Sequence, residues 1–331
     1  MAASTFHYVT FLGVAFLAFL SPQETETIEN DLYGDWSLSL ESETPAWLSV
    51  REKDGDPEVR LRLYVGSDGP HEDARISKDG SLTFSYRKNR KSAVNRLVSA
   101  RVVDGELRGV ISMRTKDGTR TADKFTGKRI PPMPKKVPDL SKVRFGHPVM
   151  LFNGKDLTGW RPHEAEKKNG WSVVDGLLVN TTPKTDFSAT GAYANLRTED
   201  VFEDFWLHVE FLVEEKRNSG IYLRGMYEAQ VVDRDSPMQG INGPGAIFGK
   251  IAPSKNAGRL GGQWQSYDLT LVDRHITVVL NGEKVIDNQP ISAPTAGAIF
   301  TDPMSPGPIY LQGDHTEVKY RNIYLAPVIR D

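Results

Sequence analysis

Along most of this chain, apolar and polar residues alternate singly. Residues 36–40 read WSLSL, 59–65 VRLRLYV, 82–86 LTFSY, 205–211 FWLHVEF and 275–280 HITVVL. Successive side chains on a strand point to opposite faces, so this pattern predicts strands with one buried side. Runs at 47–50, 97–103, 107–113, 171–174, 177–179, 267–272, 284–286, 309–312 and 318–326 extend it. Asp-Gly pairs at 54–55, 68–69, 79–80, 104–105, 117–118 and 175–176 punctuate the runs. Asn281-Gly282, between two alternating segments, predicts a type I′ hairpin. No helical periodicity persists beyond two turns, so the expected fold class is all-β.

The pattern breaks twice. Residues 129–145 begin RIPPMPKKVPDLSKV, whose four prolines admit neither a helix nor a central strand. This stretch reads as an extended linker. It divides a small all-β unit at 30–128, a meander or antiparallel barrel, from a second β unit at 146–331. Gly34-Asp35-Trp36 resembles the Gly-x-Trp opening of lipocalin-like barrels. The second break is a loop at 236–262 holding seven glycines, and a loop that long is usually functional or disordered. The basic run at 87–91 reads as a solvated hairpin tip.

Composition narrows the chemistry. With 331 residues, two cores are affordable. A net charge of −2 gives no reason to expect nucleic acid as a partner. The absence of cysteine excludes disulfides, thiolate metal sites and a cysteine nucleophile. Residues 9–20 form an apolar run shorter than the roughly 20 residues of a membrane-spanning helix. The expectation is a signal peptide within 1–25 and an exported protein, with an uncleaved anchor as the rival.

Candidate chemistry concentrates in Asn218-Ser-Gly-Ile-Tyr-Leu-Arg-Gly225 and Tyr227-Glu-Ala-Gln-Val-Val-Asp233. Period two places Ile221, Leu223, Ala229 and Val231 in apolar sets. It places Tyr222, Arg224, Glu228 and Gln230 in polar ones. An arginine, a carboxylate, an amide and a phenol on one sheet face suit a polyhydroxylated ligand.

The second unit resembles the 3-keto-disaccharide hydrolase family. The resemblance rests on an ordered series: Leu151-Phe-Asn-Gly-Lys-Asp-Leu-Thr-Gly-Trp160, Trp171 with Val173-Val-Asp-Gly176, residues 205–211, 218–225 and 227–233, Gly245-Ala-Ile-Phe-Gly249, Trp264 with Tyr267-Asp268, Val279-Leu-Asn-Gly282, Pro308-Ile-Tyr-Leu-Gln312 and Arg321-Asn-Ile323. It implies a concanavalin A-like jelly roll whose concave sheet holds a saccharide oxidised at C3. This chain departs from the family at Gln312-Gly313-Asp314-His315, where one residue stands before Asp314, as a bulge would place it.

A C3 ketone acidifies the C2 hydrogen, so a base can remove it, the C1 substituent can leave, and water can add back. Such a site needs a base, a stabiliser for the enolate oxygen and an acid. His315 is the candidate base or metal ligand. Glu228 is a candidate base, acid or ligand, with Arg224 orienting it or holding an oxyanion. Glu210 at spacing two from His208, and Tyr222, Gln230, Trp264, Gln312 and Asp314, are candidate substrate contacts. Trp160 and Trp171 read as core. A divalent metal ion is a possible stabiliser of the enolate. Glu210 with Glu228 also permits a conventional acid and nucleophile pair, against which stands the lack of a Glu-x-Asp-x-x-Glu run. A non-catalytic carbohydrate-binding module and a structural envelope protein are the further alternatives.

Overall fold

The computed structural model describes residues 31–64, 68–71, 73–86, 96–114, 118–183 and 191–330. The apolar run at 9–20, the basic run at 87–91 and Asp117 lie outside the described residues. Strands dominate; among the described residues the helical pieces are short and include the 3-10 turns Leu140–Lys142 and Gly240–Asn242.

The first unit is one antiparallel sheet. Its strands are β1 (Gly34–Leu40), β2 (Pro45–Lys53), β3 (Asp56–Leu63), β4 (Arg75–Ile76), β5 (Leu82–Tyr86), β6 (Arg96–Val103), β7 (Glu106–Arg114) and β8 (Arg120–Ile130). They lie in the order β3-β2-β1-β8-β7-β6-β5-β4. The sheet curls until its two edges meet: His71 N donates to Val59 O at 2.9 Å, just ahead of β4. Alternate residues face inward, among them Trp36, Leu48, Leu61, Phe84, Val98 and Phe125.

The second unit is a two-layer sandwich. Its strands are β9 (Val149–Met150), β10 (Trp160–Pro162), β11 (Trp171–Val174), β12 (Leu177–Asn180), β13 (Leu196–Thr198), β14 (Phe205–Leu212), β15 (Asn218–Leu223) and β16 (Tyr227–Val232). After a long loop come β17 (Trp264–Val272), β18 (His275–Leu280), β19 (Glu283–Pro290), β20 (Tyr310–Leu311) and β21 (Val318–Pro327). One sheet runs β10-β13-β20-β15-β16; the other runs β11-β12-β21-β14-β17-β18-β19, with β9 on β21. Their facing residues make the core: Phe205, Leu207, Val209 and Phe211 from β14 meet Ile221, Leu223, Ala229 and Val231 from β15 and β16. This is the alternation read from the sequence, at the expected parity. The buried tryptophans Trp160 and Trp171 are also core, as expected.

The turn chemistry follows the dipeptides. Asn281 and Gly282 both take left-handed backbone (φ 53° and 82°), as a type I′ turn requires. Asp54-Gly55, Asp104-Gly105 and Asp175-Gly176 do the same.

The two units are in contact. Trp47 and Ile130 pack on Ala293. Ser37 Oγ and Thr301 Oγ1 share a hydrogen bond of 2.8 Å, and Lys128 pairs with Asp302 at 3.1 Å. The proline-rich stretch lies against the second unit rather than spanning open space. Arg274 donates to Pro131 O at 2.7 Å and Asn288 Nδ2 to Pro138 O at 2.8 Å.

Candidate active site

The outward face of the five-stranded sheet is a polar floor beneath a cavity of about 410 Å³. Register assembles it. Tyr222 on β15 pairs with Glu228 of β16 on one side and with Tyr310 of β20 on the other. Gln230 faces the cavity from β16 and Gln312 from the residue after β20. Gln312 N donates to Gly220 O at 2.9 Å, which fixes its height on the floor. Asn218, Asp314, His315, Lys167, Phe248 and Gly297 complete the walls, together with Tyr64 from the first unit.

The glycine-rich loop at 236–262 is ordered and builds one wall. Gln230 N donates to Ala246 O at 3.1 Å and Phe248 N to Glu228 O at 2.9 Å, so the loop returns as an extra extended segment along β16. The Tyr267 hydroxyl pins both layers: it donates to Gln230 O at 2.6 Å and accepts from Gly245 N at 2.8 Å.

Glu228 is the electrostatic centre. Its side chain is buried, and burial pushes its carboxyl up to about 8. Contact with the Tyr222 hydroxyl offsets part of that rise, and the negative charge of Asp314 adds to it. At neutral pH this group therefore carries a proton. Burial likewise drives Tyr222 and Tyr310 far above the ordinary phenol range, so both remain hydrogen-bond donors. Tyr310 packs edge-on against Tyr222 with ring centres 4.8 Å apart.

The second titratable element is a bonded pair. Asp314 Oδ1 lies 2.6 Å from His315 Nδ1. A carboxylate at that distance orients the imidazole ring. The residue standing before the pair, Gly313, lies beyond the end of β20, not in a strand bulge. Its N donates to Asn195 Oδ1 at 2.7 Å, and its O accepts from Asn180 Nδ2 at 2.8 Å. A β-carbon at Gly313 would sit 2.4 Å from Trp171 Nε1. The glycine thus lets the chain pass tight against the indole and still deliver Asp314 and His315 to the cavity.

Two polar atoms on the lining are orphaned. Gln312 Oε1 and Asn218 Oδ1 are buried without a hydrogen-bond partner among the described residues. Buried acceptors of this kind are costly unless a donor arrives, and hydroxyl-rich ligands supply donors. Gln230, by contrast, is spent on the protein: its amide donates to Asn242 O and its oxygen accepts from Val231 N.

Six of the nine candidates therefore share the cavity: Tyr222, Glu228, Gln230, Gln312, Asp314 and His315. Three do not. Arg224 follows the end of β15 and takes left-handed backbone with Gly225 (φ 55° and 64°), so the strand parity that would have set it beside Glu228 lapses. Its guanidinium is buried elsewhere, donating to Pro303 O at 2.7 Å and Ser305 O at 2.6 Å, with Asp204 at 4.0 Å. Glu210 lies on the other sheet, bound by Arg321 at 2.6 Å and Asn322 at 2.8 Å. Its neighbour His208 pairs with Asp268 at 2.8 Å on that same face. Trp264 stacks under Arg321, 4.0 Å from ring centre to guanidinium carbon. The parity of β14 is the physical reason: its even positions point away from the core, and in that sheet away from the core means away from the cavity.

Tyr64, Lys167, Asn218, Phe248 and Tyr310 are lining residues that sequence reasoning did not single out. Tyr310 was findable, at spacing two from Gln312. Lys167 sits in a polar stretch without periodicity, and Tyr64 in another unit. Among the described residues no three His, Asp or Glu side chains come together to hold a metal ion. Asp314 is engaged by His315, and the lining does not fit a metal centre.

Two antiparallel sheets, with carboxyls, amides and phenols gathered on the face of one, define a β-sandwich with a polar cavity of ligand size. The chain belongs to the family of 3-keto-alpha-glucoside-1,2-lyase-like domains, whose profile matches residues 147–326. Among solved structures it is similar to two glycosyl hydrolase candidates from Parabacteroides distasonis. One is 21% identical over 55% of this chain and 94% of that one, with a TM-score of 0.46. The other is 23% identical over 54% and 98%, with a TM-score of 0.41. A non-specific endo-beta-1,3(4)-glucanase of family GH16 is 13% identical over 58% and 97%, with a TM-score of 0.35. No curated protein matches the chain.

Proposed function

We propose that this protein cleaves the glycosidic bond of 3-keto-glycosides, 3-keto-disaccharides included, by elimination across C1 and C2 followed by addition of water. The observation that carries the reading is one cavity holding a buried, protonated carboxyl and a carboxylate-oriented imidazole. The His315 imidazole takes the C2 hydrogen as a proton, and the electron pair of that bond becomes an enolate with the C3 carbonyl. The enolate re-forms the ketone as the C1–O bond breaks. Glu228 gives its proton to the departing oxygen, leaving a 1,2-unsaturated 3-keto sugar. Water then adds, with hydroxide to C1 and a proton to C2, for net hydrolysis.

Lys167 takes the place that Arg224 vacates. Its ammonium lines the cavity and spends one donor on Glu164 at 3.1 Å, which leaves two for a developing enolate oxygen. Gln312 and Asn218 accept from sugar hydroxyls through their orphaned oxygens. With Glu210 outside the cavity, the acid and nucleophile pair considered from the sequence loses one member.

The test incubates the protein with a chromogenic glycoside and with its 3-keto form. Release from the keto form alone, lost on His315→Ala and on Glu228→Gln, supports the reading. Release from the unoxidised glycoside at the same rate would overturn it. Binding of the keto form without release would make the domain a carbohydrate-binding module. An exported location remains part of the proposal, on the strength of residues 9–20.

A further inference from the structure

We infer that Tyr64, carried by the first unit, is a specificity-determining residue that limits the length of the saccharide the second unit accepts. The inference rests on the reading of the cavity as a saccharide site. Among the described residues Tyr64 is the one lining residue that the first unit supplies. It follows β3 and leaves that sheet to lean on the second unit, where it packs against Tyr222, Ile299 and Tyr310. Its hydroxyl bonds to Tyr310, and burial raises it far above the ordinary phenol range, so it stays a neutral donor.

The placement is built in, because two contacts hold it from the second unit's side. Gly297 N donates to Tyr64 O at 2.7 Å. Gly297 itself admits no side chain: its φ is +79°, and a β-carbon there would sit 2.6 Å from Tyr222 Oη. Four residues beyond Tyr64, Asp68 pairs with Arg62 at 2.9 Å and with Lys250 at 2.7 Å. Lys250 belongs to the same loop as Phe248, so one loop both walls the cavity and clamps the tyrosine. All three side chains of that cluster are mostly buried. Charges so placed add little net stability, but they fix geometry.

What lies behind Tyr64 gives the position its meaning. The same residue borders a second cavity, of about 600 Å³, at the open end of the first sheet. Leu63, Tyr86, Ile111 and Met113 line it, and on its polar rim Ser42 Oγ bonds to Asp123 at 2.6 Å and to Thr44 at 3.0 Å. Tyr64 is thus a partition between a polar saccharide space and a larger room beyond. With the partition in place, about 410 Å³ sits near the small end of the roughly 300–1,000 Å³ of ligand sites and suits a short glycoside. Removing the ring joins the two spaces.

The experiment compares full-length wild type, Tyr64→Phe and Tyr64→Ala on a 3-keto-disaccharide and on the corresponding 3-keto-trisaccharide. The quantity read is the ratio of kcat/KM for the longer substrate over the shorter. The alanine variant is expected to raise that ratio about tenfold or more, while the phenylalanine variant leaves it unchanged. An unchanged ratio in the alanine variant, with its thermal transition intact, overturns the inference, as does an equal shift in the phenylalanine variant. If the alanine variant loses its transition, Tyr64→Leu is read in the same way. Wild type is the check on the underlying reading. If it turns over neither keto substrate, the proposed reaction falls, and the length limit is then judged by calorimetric affinity for the unoxidised di- and trisaccharide in the same three proteins. Wild-type affinity for neither sugar, or a ratio of affinities equal in all three, overturns it.

Discussion

The Glu228 carboxyl lies over Gly220 on the adjacent strand: a β-carbon at residue 220 would stand 2.4 Å from Glu228 Oε1 and 2.8 Å from its Cγ. Glycine is needed here for close approach, not for backbone angle. Gly220→Ala forces the carboxyl off its seat and is expected to cost roughly 1–3 kcal/mol of stability, with most turnover lost. Glu228→Ala in the same chain removes the colliding group. Denaturant melts of both single variants and the double should therefore show strong coupling; simple additivity would refute the contact.

Glu228→Gln tests the acid. A lost general acid lowers kcat/KM by about 10²- to 10⁴-fold. Wild-type kcat/KM should fall as pH rises through about 8, where Glu228 loses its proton. Activity on a keto glycoside with an activated leaving group, which needs no acid, should suffer least. A wild-type profile flat to pH 9 would remove Glu228 from the role.

The same group sets a stability trend. In the unfolded chain Glu228 ionises near its ordinary value of 4.5, whereas the folded protein keeps the proton to about 8. Between those values the folded state binds more protons, so stability declines with pH across that window and levels off above it. Glu228→Gln should abolish this decline and leave the variant more stable than wild type at pH 8.5, by roughly 3–5 kcal/mol at most. Melting curves at pH 5 and 8.5 decide it.

Asp314→Asn separates orientation from chemistry. The imidazole remains, but the 2.6 Å bond that orients it is weakened. Turnover is expected to drop about a hundredfold with substrate affinity little changed, and His315→Ala to drop it further. Equal activity in Asp314→Asn and wild type would leave the pair without a function.

Glu210→Gln and Arg224→Ala are the contrasting cases. Glu210 is part-exposed and faces away from the cavity, so its loss should change kcat less than twofold and stability by about 1 kcal/mol or less. Arg224→Ala leaves the Pro303 and Ser305 carbonyls without this donor, the first of them buried, at roughly 1.5–3 kcal/mol, without altering the pH profile. Loss of catalysis in Glu210→Gln would revive the two-carboxylate reading.

How far the sequence was legible depended on whether a residue sat inside regular strand. Within β14, β15 and β16, period two gave the core face and put Tyr222, Glu228 and Gln230 on the right side. At Arg224 the same logic ran one residue past the strand end, into a left-handed turn. For Glu210 the parity was right but the sheet was wrong. Alternation tells inside from outside; it does not tell which of two sheets carries the hollow. β8 escaped notice because only Phe125, Gly127 and Ile130 among its eleven residues are buried. Tyr64 had no local signature at all, because the residues it packs on, Tyr222, Ile299 and Tyr310, lie more than 150 positions away.

The Asp68–Lys250 bond has a consequence for behaviour in acid. Burial alone would raise the Asp68 carboxyl, yet Lys250, with Arg62, holds it below the ordinary 3.8. The strength it lends is complete above that value and drains away as acidity passes the lower folded one. Strong acid should accordingly slacken the seam between the two halves before it touches either apolar interior. Tyr64 would then swing out of its berth while both sheets stay wound.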